Sequence, residues 1–207
     1  LEVTTDDPAN TVEAGEFGDG VGGFSVISDD DSHGLTINDV ADDASVSVTD
    51  QADSVTPNVD RLESLTINGA NVAGADTTIS LSLSRSEAGT PANPNVFTLG
   101  EFDASGYENI NIESTGDKAN TATTIETLDA GAQETITLTG DKALTIEDLL
   151  TAPTIDASDN TGGVSLNVAG TGAPDGKQDV TGGEGDDTIA VNTGDLDETD
   201  TTIDGGE

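Results

Sequence analysis

The sequence contains no cysteine, methionine or tryptophan, and only one tyrosine and four phenylalanines. Without cysteine there are no disulfides and no thiol chemistry. Basic residues are nearly as rare: five Lys and Arg stand against 42 Asp and Glu, a formal charge of −37. Phosphate-tracking nucleic-acid binding needs Lys and Arg to displace counterions, so it is excluded. An anionic membrane surface would repel the chain for the same reason. The sequence offers no apolar run long enough for a membrane span. Catalytic signatures are equally scarce. His33 is the lone histidine, and neither a Gly-Lys-Ser/Thr phosphate loop nor a His-Glu-x-x-His pair occurs. Carboxylates abound, but abundance singles out no catalytic pair, so no enzymatic activity is expected of these residues. A sugar-cleaving β-helix would use carboxylates on its face, yet it would also want aromatic and basic residues.

The apolar supply is thin. Val, Ile, Leu and Phe make up 45 of 207 residues, close to the roughly 20% below which a highly charged chain is expected to stay disordered. A charge of this size also destabilises a compact state by self-repulsion unless a cation cancels it. The alternatives are a disordered chain or a thin core repeated along the length.

Repetition favours the second. Val12, Ile37, Ile67, Phe102, Leu128, Ile155, Val180 and Ile203 each open a small-residue turn, as in Ile155-Asp-Ala-Ser and Ile203-Asp-Gly-Gly. The intervals between them are 25, 30, 35, 26, 27, 25 and 23 residues. After each turn comes a short run of alternating apolar and polar residues, such as Ile79-Ser-Leu-Ser-Leu, Ile136-Thr-Leu and Val164-Ser-Leu-Asn-Val. Period-two alternation is the strand signal, with one face buried and one wet. Helical periodicity is nearly absent; Thr145–Leu150 is its one weak candidate.

The expected architecture is all-β, a parallel β-solenoid (β-roll or β-helix) with coils of roughly 23–35 residues, each too thin to bury a face alone. An antiparallel β-sandwich is the alternative, since it too has short strands at regular spacing. The recurrence of one turn at one phase is what favours the solenoid. Residues 1–84 read as irregular repeats, 85–97 as a loop excursion by composition, and 98–207 as the regular part. The first residues, Leu-Glu-Val, resemble a strand already under way, and Ile203–Glu207 restarts the repeat. Both ends are expected to belong to a longer polypeptide.

The stretch Gly182-Gly-Glu-Gly-Asp-Asp187-Thr-Ile-Ala190 matches Gly-Gly-x-Gly-x-Asp-x-apolar-x at every fixed position. It resembles the nonapeptide of the RTX calcium-binding β-rolls. The wider pattern is similar to calcium-dependent surface-layer (S-layer) proteins and large type I-secreted adhesins of Gram-negative bacteria. Calcium takes six to eight oxygens from carboxylates and main-chain carbonyls, and glycines let carbonyls turn inward.

The resemblance implies Ca²⁺ as the cofactor, with Gly182 and Glu184 giving carbonyl oxygens and Asp187 its carboxylate, beside Asp186. The next turn, Asp204, Gly205 and Glu207, would share an ion, and Asp156 and Asp159 would serve the preceding coil. It also implies an extracellular, cell-surface location, export by type I secretion, and copies of the same chain as partners. A cell-surface polysaccharide would be held through another region.

The function expected is a calcium-stabilised structural segment that assembles into an S-layer lattice or filament. The alternative is a repeat, spacer or binding module of a large adhesin. Asp43, Asp76, Glu108 and Glu134, each just before a strand, read as a solvated rung edge rather than degenerate ion sites. Asp29–Asp31 reads as a solvated loop. Thr-Gly-Asp at 115, 139 and 193 reads as a stacked exit turn, and the Asp-Lys pairs at 117–118 and 141–142 as ladders between coils.

Overall fold

The computed structural model describes residues 2–4, 10–14, 22–28, 34–50, 60–69, 76–86, 88, 95–117, 119, 121–129, 135–169, 177–192 and 202–206. Among them the chain is nearly all β. The first strands are β1 (Glu2–Thr4), β2 (Asn10–Glu13), β3 (Gly23–Ser28), β4 (Leu35–Val40), β5 (Ala44–Asp50) and β6 (Asp60–Leu62). Then come β7 (Leu65–Gly69), β8 (Thr78–Arg85), β9 (Asn95–Asp103), β10 (Asn109–Thr115), β11 (Thr121–Asp129) and β12 (Thr135–Thr139). The last are β13 (Ala143–Leu150), β14 (Thr154–Asp156), β15 (Val164–Val168), β16 (Asp179–Thr181), β17 (Thr188–Val191) and β18 (Thr202–Asp204). Among the described residues no helix is long and apolar enough to cross a membrane.

The strands form two sheets. Sheet A runs β1-β3-β5-β8-β10-β12-β14-β16-β18, and sheet B runs β17-β15-β13-β11-β9-β7-β4-β2, with β6 also on β9. Consecutive strands therefore alternate between sheets, save that β6 and β7 both join sheet B. Every described pairing is parallel. The antiparallel sandwich does not hold, and the pattern is consistent with a β-solenoid. Register partners lie as little as 18 residues apart, at Leu150 and Val168, and as much as 37, at Leu65 and Phe102. The spread is wider than the expected coil on both sides.

Alternation does what the sequence pattern requires. In β8 the inward positions are Ile79, Leu81, Leu83 and Arg85, with serines between them. Stacking places like on like. Ile79, Ile110, Ile136, Ile155, Val180 and Ile203 form one ladder in sheet A. Leu99, Ile125, Ile146, Leu166 and Ile189 form another in sheet B. Each fully buried side chain of this kind contributes about 1.5–3 kcal/mol, and one cluster of buried residues runs from Ala14 to Val180.

Three sequence readings change. Thr145–Leu150 is strand, inside β13. A register shift between Ile146 and Leu149 marks a bulge, and Asp148 bonds the main chain of Leu128 and Leu149 there. The bulge gives the local sequence its false helical spacing. Next, β8 extends through Arg85 and β9 starts at Asn95, so both ends of the 85–97 segment are strand. Finally, the repeated turn does not keep one phase. Val12, Ile37, Ile67, Phe102 and Leu128 lie in sheet B, whereas Ile155, Val180 and Ile203 lie in sheet A.

The turn itself is the same on both sides. After Phe102, Asp103 Oδ1 accepts from Ser105 N at 3.0 Å and Ala104 O from Tyr107 N at 3.0 Å. After Ile155, Asp156 Oδ1 accepts from Ser158 N at 3.0 Å and Ala157 O from Asn160 N at 2.8 Å. One Asp-Ala-Ser turn leads from sheet B to A in the first case and from A to B in the second.

Candidate metal site at the stacked glycine turns

Three turns follow β14, β16 and β18, which are register neighbours in sheet A. Their first residues are joined across the stack: Ala157 N donates to Thr181 O and Gly182 N to Asp204 O, both at 2.8 Å. Glu184 N donates to Asn160 O at 2.9 Å.

Glycine is required by contact here. A Cβ on Gly183 would collide with Asn160 O and lie 2.8 Å from Ala157 O. A Cβ on Gly182 would lie 2.5 Å from Gly205 O and 2.6 Å from Asp187 Oδ2. A Cβ on Gly206, whose φ is +79°, would collide with Gly183 O and lie 2.9 Å from Gly182 O. Main-chain oxygens of three successive turns thus crowd into space that only glycine leaves open.

Asp187 is partly buried at the end of the middle turn. Its Oδ2 accepts from Gly183 N at 2.7 Å and its Oδ1 from Val164 N at 2.8 Å. Val164 opens β15, the strand stacked on β17. One carboxylate therefore closes its own turn and ties it to the preceding one.

The other sequence-selected residues are placed differently. Asp156 and Asp204 each cap their own turn, Asp204 Oδ1 accepting from Gly206 N at 3.1 Å. They occupy one ladder with Thr181 between them, so their carboxylates do not meet. Asp159, Glu184 and Asp186 are exposed on the turns, as is Gly205. Glu207 lies outside the described residues. Among those described, no group of three or more His, Cys, Asp or Glu side chains converges for a metal. The donors at hand are main-chain oxygens with Asp187. That set is all oxygen and suits a hard cation with many carbonyl ligands.

Sequence reasoning missed Asn160. It is fully buried, its Nδ2 donates to Thr139 O at 3.3 Å, and its Oδ1 accepts from Gly162 N at 3.0 Å. It takes the place that Tyr107 has in the equivalent turn. The available signal was a polar residue at an inward position of the repeat.

Acids at the entry to sheet A serve the main chain. Asp42 Oδ1 accepts from Thr78 N at 2.8 Å, and Glu108 Oε2 accepts from Asp76 N. Asp43 and Asp76 hold φ of +58° and +76°, a conformation that Asp tolerates better than most residues. Glu134, Asp29–Asp31 and His33 lie outside the described residues.

At the exits from sheet A, Gly116 and Gly140 both have positive φ, but Thr139 pairs with Glu113. The two Thr-Gly-Asp turns are therefore offset by two residues; the third, from Thr193, is not described. Lys142 Nζ bonds its own neighbour Asp141 at 2.6 Å rather than another turn, and Lys118 is not described. Compared with family models, with curated proteins and with solved structures, the chain matches none.

Proposed function

We propose that the chain is a calcium-stabilised structural segment of an extracellular bacterial surface protein, coiled as a β-roll, that assembles into an S-layer lattice or filament. The observation that carries this is the column of glycine turns. They crowd main-chain oxygens beside Asp187 on a chain of net charge −37. A divalent cation there would neutralise charge and bind successive turns. Gly182, Gly183, Asn160 and Glu184 would contribute main-chain oxygens, and Asp187 its carboxylate.

Ligand that binds only the folded state stabilises it by mass action. Where free calcium is scarce the acidic chain stays extended for export, by type I secretion on the RTX resemblance. Where calcium is plentiful the short C-terminal strands stack. The role is mechanical rather than catalytic.

The test is far-UV circular dichroism during a calcium titration, with sodium chloride at matched ionic strength as control and Asp187→Ala alongside. A β-sheet signal that grows with calcium, not with sodium, and needs more calcium in the variant supports the reading. A spectrum indifferent to calcium removes it. Light scattering of the same samples separates an assembling segment from a monomeric adhesin spacer.

A further inference from the structure

The charge is unevenly spread. Sheet B exposes Glu13, Glu101 and Glu147, and both edges of the sheets carry acids. On sheet A, β14, β16 and β18 also turn Asp156, Asp179 and Asp204 outward, but the stretch formed by β3, β5, β8, β10 and β12 differs. On these five strands every described outward position is Ser, Thr or Asn, except Gly23, Ile27 and Glu113. One carboxylate and no base occupy it. Within it lies a shallow trough of about 430 Å³ over Ser45, Ser47, Ser80 and Ser82. Asn111 and Glu113 also line it, hydrogen-bonded to Ser80 and Ser82 at 3.3 and 2.9 Å.

We propose that this face is where a second copy of the chain docks. The inference rests on the self-assembly reading above and adds the contact surface to it. Two bodies of charge −37 repel wherever acids meet acids. The neutral hydroxyl face is where they can approach without placing like charges in contact. A two-fold interface must be self-complementary. A face of Ser, Thr and Asn meets that condition, because each of these side chains both donates and accepts hydrogen bonds. Small side chains let the sheets come close. Five strands at about 4.8 Å, with outward side chains over about 20 Å, give a face of about 24 by 20 Å. Two such faces would bury about 1,000 Å², the size of a weak, reversible contact.

The test is sedimentation velocity of the chain in calcium across protein and salt concentrations, with circular dichroism to check folding. A concentration-dependent dimer is expected, tighter as salt screens the remaining repulsion. Ser47→Glu and Ser82→Glu should each weaken it at least about tenfold by setting like charges face to face. Glu113→Gln should tighten it, and Thr36→Glu on sheet B should leave it unchanged.

A folded, calcium-responsive chain that stays monomeric overturns the docking face and leaves the cation reading intact. So does a dimer indifferent to the serine variants, or one that Thr36→Glu weakens equally. Capture of a neutral oligosaccharide by the trough without dimerisation also overturns it. A dimer that behaves as expected in a chain indifferent to calcium supports the face and sinks the cation reading instead.

Discussion

Arg85 and Asp50 face each other inside the molecule. They are register partners in β8 and β5, Arg85 Nη2 lies 2.8 Å from Asp50 Oδ2, and both side chains are 1% exposed. Removing one partner of a buried pair strands a charge and costs about 3–5 kcal/mol, whereas replacing both with apolar residues is often neutral. Arg85→Met should therefore be strongly destabilising in urea denaturation, and Asp50→Leu added to it should restore most of the loss. A silent single variant would mean the pair is solvated.

Gly183 and Gly205 make opposite predictions. Gly183→Ala drives a Cβ into Asn160 O, whereas a Cβ on Gly205 meets nothing within 4 Å. Gly183→Ala should cost at least about 1–3 kcal/mol and raise the calcium midpoint. Gly205→Ala should stay within about 0.5 kcal/mol. Equal effects in thermal melts would contradict the stacked-turn geometry.

Calcium removal should act unevenly. β14 and β16 have three residues each, against nine in β9 and β11. Hydrogen exchange after chelation should therefore rise first at 154–156 and 179–181 and last at 97–102, since local opening follows local contact. Uniform exchange along the chain would contradict this.

Tyr107 is buried, and its hydroxyl donates to Val40 O at 3.2 Å and Ala41 O at 3.4 Å. Burial, with the nearby Asp42 charge, pushes its pKa up from 10.0 to about 12. The folded state holds the phenolic proton more tightly than the unfolded state. The resulting stability is complete below pH 10 and lost as pH rises toward about 12. Tyr107→Phe should remove that alkaline decline and cost about 1–2 kcal/mol at neutral pH through the stranded carbonyls. Phenolate absorbance followed against pH reads the first effect, and urea denaturation the second.

On sheet B, Arg61 crosses Gly100 to form paired hydrogen bonds with Glu126, Nη2 to Oε2 at 2.7 Å. That bonding holds the guanidinium pKa above its ordinary value, against a smaller opposing effect of burial. Both side chains are over a third exposed, so Glu126→Gln should cost less than about 1 kcal/mol and lose its effect in salt. Gly100→Ala should cost more and ignore salt, because its Cβ would also lie 2.5 Å from Glu63 O. Salt dependence in both would assign the cost to charge alone.

Several of these residues were legible beforehand and several were not. The Gly182–Asp187 turn stands out in sequence because glycine and acid recur at fixed spacing. The structure puts Asp187 beside the glycine turns, its oxygens bonded to Gly183 N and Val164 N. Asp50, Arg85 and Asn160 left no such mark: charged and amide residues usually mean surface, and only the inward phase of their positions puts them inside. Gly100 reads as an ordinary strand glycine until Arg61 is seen lying across it.

Short strands, the residues of each that turn inward, and the recurrence of turns at coil-like intervals are all written in the residue pattern. Alternation of period two carries that information locally. It does not say which sheet a strand joins, since both strands of a coil alternate alike. Hence Leu128 and Ile155, equivalent by motif, lie in different sheets. Stacking in three dimensions settles it, because register is set by which neighbouring strand buries a given face, and that neighbour is 18 to 37 residues away.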